Sequence, residues 1–94
     1  MAVVGVLVME LRIEHAHSLK EKRQVIKSLK DVLRRKFNIS VAEVEDMDLH
    51  NSAVIAAAAV SSSKDFASRV LRAVEDEAAS RLGPMLLRAN VEWL

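Results

Sequence analysis

Ninety-four residues, about half of them hydrophobic, are enough for one domain and leave no room for a second. At this size folding buries roughly 60–65% of the chain's surface, so stability is modest or helped by a partner. There is no cysteine, which excludes disulfides and thiolate metal sites and suits a reducing cytosol; the net charge of +1 singles out no partner by itself.

Val3 to Leu11 is apolar, but it lacks a basic start and a small-residue cleavage site, it runs into Glu10 and Arg12, and it is too short to cross a bilayer. Its period-two pattern reads as a strand, with Val3, Gly5, Leu7, Met9, Leu11 and Ile13 toward a core. The alternate set, Val4, Val6 and Val8, is also apolar, so the other face is expected to be covered as well. Ser18-Leu19-Lys20-Glu21 is a capping box: the hydroxyl accepts from an early helix amide while Glu21 reaches back. The helix that follows carries Leu19, Val25, Ile26, Leu29, Val32, Leu33 and Phe37 on one side and ends near Phe37-Asn38, where Arg34, Arg35 and Lys36 complement the helix dipole. Ile39 to Glu45 reads as a second strand, at an edge.

Asp46 to Asn51 is a polar turn. Ser52 to Ser61 contains a run of small apolar residues whose alanines favour helix, but its shortness and its place after a turn fit a central strand buried on both faces. Ser62, Ser63 and Asp65 open a second helix with Phe66, Val70, Leu71, Val74 and Ala78 on its apolar side, and Gly83-Pro84 stops it. Met85, Leu87, Ala89, Val91 and Trp93 alternate with Leu86, Arg88, Asn90 and Glu92 in a last strand. The order β-α-β-β-α-β, with right-handed crossovers, predicts an α+β fold of the ferredoxin-like kind: a four-stranded antiparallel sheet in order 4-1-3-2 with both helices on one face.

The stretch His17-Ser18-Leu19-Lys20-Glu21-Lys22-Arg23, followed by Ile26-Lys27-Ser28-Leu29-Lys30, resembles the bacterial YlxP-like family, domains of unknown function. Phe37 to Val44 and the Asp48-Leu49 turn add to the likeness, which runs over essentially the whole chain. The resemblance implies a ferredoxin-like domain with a place near transcription and translation, because genes of this family often neighbour those for translation-initiation and ribosome-maturation factors. It brings no catalytic residues.

Charge is distributed unevenly. Between Lys20 and Lys36 there are eight basic residues against Glu21 and Asp31, so that stretch carries +6 and the remainder −5. At ~100° per residue, Lys20, Arg23, Lys27, Lys30 and Arg34 fall within an arc of roughly 80°, beside the apolar face of the helix and almost free of acids. A rigid row of cations binds a phosphate backbone through counterion release and suits an RNA duplex better than a splayed base. The plain alternative is a solvated face that keeps the domain soluble. Base stacking on the sheet is not expected: the three aromatics, Phe37, Phe66 and Trp93, are placed like core residues, and neither central strand carries one.

The open sheet face is expected to bury Val4, Val6, Val8 and Ile55 in a homodimer, since alanines let a second sheet approach closely. His15 and His17 with one carboxylate make a weak metal candidate, and loop histidines of this kind are ordinarily solvent-facing. With only Gly5 and Gly83, no phosphate-binding glycine motif can be written, and no serine stands in a G-x-S-x-G elbow. The sequence therefore predicts a non-enzymatic, cytoplasmic binding domain without cofactor, metal or membrane partner, docking RNA or the ribosome along the first helix. The alternative is a homodimeric interaction or scaffold domain that works through its sheet.

Overall fold

The computed structural model describes residues 1–94 and has the predicted order of elements. They are β1 (Val3–Arg12), α1 (Leu19–Lys36), β2 (Ser40–Glu45), β3 (Ser52–Ser61), α2 (Lys64–Leu82), a short 3-10 turn at Gly83–Met85, and β4 (Leu86–Trp93). The four strands form one antiparallel sheet in the order β2-β3-β1-β4, the expected order read from its other edge.

The ends of the helices follow from local chemistry. Ser18 Oγ accepts the Glu21 N–H at 3.2 Å, and the Glu21 carboxylate reaches back to the amide of His17 at 3.4 Å. Ser63 plays the same part for α2, accepting from the Phe66 amide at 3.2 Å. Gly83, at φ 56°, ends α2 in a conformation that a side chain would strain, and Pro84 prevents continuation.

The core lies between the helices and one face of the sheet. From β1 it takes Leu7, Met9, Leu11 and Ile13; from β3, Ala53, Ile55, Ala57 and Ala59; from α1, Ile26, Leu29 and Leu33; from α2, Leu71, Val74, Ala78 and Leu82. α2 packs on β1 and β3, and α1 lies toward β2. Gly5 has a specific reason to be glycine. A Cβ there would stand 2.6 Å from a Trp93 ring carbon and 2.8 Å from Leu71 Cδ1.

Three expectations need correction. Ile55 is fully buried on the helix-facing side, because its register partner on β1 is the core residue Met9. The open face of β3 carries Val54, Ala56, Ala58 and Val60 instead. Phe66 is 55% exposed, since it stands roughly 120° around α2 from the line of Ala67, Leu71, Val74, Ala78 and Leu82. β4 begins at Leu86, and a shift in register opposite Glu10 and Leu11 turns Leu87 outward.

Candidate functional site: the groove between helix one and the edge strand

The five basic residues of the stripe do not all meet. Arg23, Lys27, Lys30 and Arg34, one helical turn apart, line a shallow depression of about 380 Å³ that runs along α1 and is closed on its other side by Glu43 of β2. Lys20 lies outside it, exposed in the first turn of α1.

Nor is the groove free of acid. Asp31 stands one turn after Lys27 and accepts from its ammonium at 2.8 Å. That hydrogen bond holds the Asp31 carboxyl below its ordinary pKa, helped by the charges of Lys27, Arg34 and Arg35. Glu43 is the second carboxylate of the lining. The groove therefore sets four cations against two acids, and one of those acids is engaged by an ammonium from inside the domain.

That ammonium belongs to Lys22, a residue that the basic pattern of α1 does not distinguish from its neighbours. Lys22 is completely buried, the one charged residue of the interior. Its Nζ donates to the carbonyls of Asp46 and Leu49, both at 2.6 Å, and lies 2.7 Å from Glu43 Oε2. An ammonium has three N–H donors, and here each has an oxygen to face. Glu43 Oε2 meets no donor in hydrogen-bonding geometry, so its contact with Lys22 is ionic in character. A signal for Lys22 exists in the sequence: it precedes Ile26, Leu29 and Leu33 by four, seven and eleven residues and so sits in the middle of the apolar face of α1.

The consequence is positional. Asp46 has a positive φ of 62° and its carbonyl also accepts the Leu49 amide at 3.0 Å; its carboxylate takes the Ser52 hydroxyl at 3.1 Å. Lys22 thus pins the β2–β3 turn to α1 and fixes the wall of the groove. Near its far end, Arg34 donates to the Val41 carbonyl of β2 at 2.9 Å. Val41 points its backbone polar groups away from β3, so the guanidinium caps the free edge of the sheet.

The second candidate surface is the open face of the sheet. Register places Val4 beside Val60, Val6 beside Ala58, and Val8 beside Ala56, with Val54 next to Glu10. Val4, Val6, Val8, Ala56 and Ala58 are half-buried and Val60 is exposed. Ala42 of β2 extends the patch, while Arg88, Asn90 and Glu92 of β4 border it on the other side. An uncovered face of an antiparallel sheet ordinarily alternates to polar residues. His15, His17 and His50 are all exposed, and no three His, Asp or Glu side chains converge at a metal-binding distance. No helix is long and apolar enough to cross a membrane.

Sheet order, helix placement and register together define a small ferredoxin-like α+β domain with a cation-lined groove on α1 and an apolar open sheet. The chain belongs to the family described as protein of unknown function DUF503, whose family model matches residues 4–90. Among solved structures it is similar to the de novo designed protein Foldit4, with a TM-score of 0.63, 14% identity, and coverage of 100% of this chain and 97% of the other. It is also similar to the designed protein LFR1 1 with ferredoxin fold, with a TM-score of 0.59, 14% identity, and coverage of 100% and 84%. At that identity the likeness is one of fold. A search of curated proteins gives no match.

Proposed function

We propose that this domain is a non-enzymatic, cytoplasmic binding module that docks structured RNA, ribosomal RNA among its candidates, with the phosphate backbone lying along the α1 groove. The observation that carries the reading is the convergence of Arg23, Lys27, Lys30 and Arg34 on one depression whose wall is held by the buried Lys22. A row of cations at one-turn intervals on a rigid helix suits the regular phosphates of a duplex and reads no base edge. The likeness of its Ser18 to Arg23 stretch to YlxP-like proteins supports the same setting near translation. The test is a gel shift against an RNA hairpin and an unstructured strand of equal length. Tighter retention of the hairpin, falling steeply with salt, supports the reading, and equal retention of the two contradicts it.

A second reading is favoured by the six apolar side chains left half-buried or exposed on β1 and β3, Val4, Val6, Val8, Ala56, Ala58 and Val60: a homodimer through the open sheet face. Its interface is Val4, Val6 and Val8 with Ala56, Ala58 and Val60 in the place of Ile55. Such a dimer persists at high salt and dissociates on Val6→Lys.

A further inference from the structure

The two edges of the sheet differ in a way that points to a partner. On β2 the outward Val41 carbonyl is occupied by Arg34. β4 is eight residues long, contains no proline, and keeps Leu87 54% and Val91 38% exposed.

The orientation of the β4 backbone follows from one hydrogen bond. Leu94 N–H donates to the Val4 carbonyl at 3.0 Å, and the β1–β4 register runs unbroken from Gly5 opposite Trp93 to Glu10 opposite Arg88. In an antiparallel ladder the N–H and C=O of a residue point the same way and alternate along the strand. Glu92, Asn90 and Arg88 therefore bond to β1, and Trp93, Val91 and Ala89 present their groups to the free edge.

The side chains along that edge are self-complementary. Arg88, Asn90 and Glu92 share the open face, being the partners of Glu10, Val8 and Val6. We propose that a second copy of this chain adds to β4 in antiparallel fashion about a two-fold axis at Asn90, joining both sheets into one continuous sheet. In this register Arg88 faces the partner's Glu92, Glu92 faces the partner's Arg88, and Asn90 faces itself. Ala89 falls opposite the partner's Val91. Both of these have edge-facing backbone groups, so each Ala89–Val91 pair exchanges its two N–H···O bonds. The charged pairs then occupy the non-hydrogen-bonded sites, where strands approach most closely, with Cα atoms about 4.5 Å apart. Arg88 already meets Glu10 at 3.2 Å on its inner side, so each guanidinium lies between two carboxylates. The contact is independent of the α1 groove, which lies toward β2 at the opposite edge.

Sedimentation of the full chain across a concentration series tests this. A dimer is expected, and Arg88→Glu or Glu92→Arg alone raises its dissociation constant about tenfold by setting like charges opposite each other. An equimolar mixture of the two variants restores association, because the mixed pair again places opposite charges in both positions. Ala89→Pro abolishes dimerisation with the circular dichroism unchanged, since the lost N–H faces the edge and not β1. A chain monomeric at about 1 mM overturns the proposal. So does a dimer insensitive to both charge reversals, or one lost only on Val6→Lys, which assigns the contact to the sheet face. RNA retention is read separately and stands or falls without this result.

Discussion

Lys22 Nζ and the Glu43 carboxylate meet at 2.7 Å at the groove wall, the lysine fully buried and the glutamate 15% exposed. The pair ties the second turn of α1 to β2, and the two carbonyl bonds to Asp46 and Leu49 extend the tie to the following turn. Taking away one partner of a buried ion pair leaves the other charged and unsolvated, which costs more than the pair itself contributes. Lys22→Met, similar in volume, is therefore expected to destabilise the domain by about 3–5 kcal/mol in urea unfolding. Faster exchange of the Leu49 amide should accompany it. A loss below about 1 kcal/mol is what an exposed pair gives and contradicts this role.

Gly5 and Trp93 supply a packing test. With only 2.6 Å between a Cβ at position 5 and the indole, Gly5→Ala has to displace the ring or the strand. Overpacking of this kind costs about 1–3 kcal/mol. Trp93 is the only tryptophan, so its fluorescence maximum reports the displacement directly, and it should move to the red as the ring gains solvent.

Glu77 links the two helices. Its carboxylate accepts from Lys36 of α1 at 2.9 Å and from Arg81 of α2 at 2.8 Å. The Lys36 hydrogen bond first, and then that of Arg81, hold its pKa below the ordinary 4.5. A depressed folded pKa means that the stabilisation is complete above the unfolded value and disappears as pH falls through the folded one. By NMR titration Glu77 is expected to protonate below 4.5, and Lys36→Met should move its midpoint upward. An unchanged midpoint in that variant would show that the helices are not joined through this carboxylate.

The elements were legible because their signals are local. Alternation marks β1 and β4, the 3/4 spacing marks the helices, and Ser18 and Ser63 mark where they start. The central strand β3 was legible as a strand, but its two faces were not, because Ala53 to Val60 is apolar at every position. Only the pairing of Met9 with Ile55 decides that Ile55 faces the helices. The cation stripe was visible as an arc on α1. Its interruption by Glu43 was not, since that contact depends on where β2 lies beside the helix. Composition counts the charge of Lys22 with that of the other basic residues. Its position on the wheel, among Ile26, Leu29 and Leu33, shows its burial.

The most direct test of the groove is RNA-hairpin binding by the unmodified chain and by Lys27→Glu with Lys30→Glu, followed by filter retention across a salt series. Lys27 is exposed and Lys30 only half-buried, and neither belongs to the core, so the double variant should keep its unfolding transition. If the four groove cations contact phosphates, the logarithm of the association constant falls against that of salt with a slope of about −3 to −4. The double variant is expected to lose retention. Retention by the folded double variant equal to that of the unmodified chain would contradict the α1 groove as the RNA-docking surface.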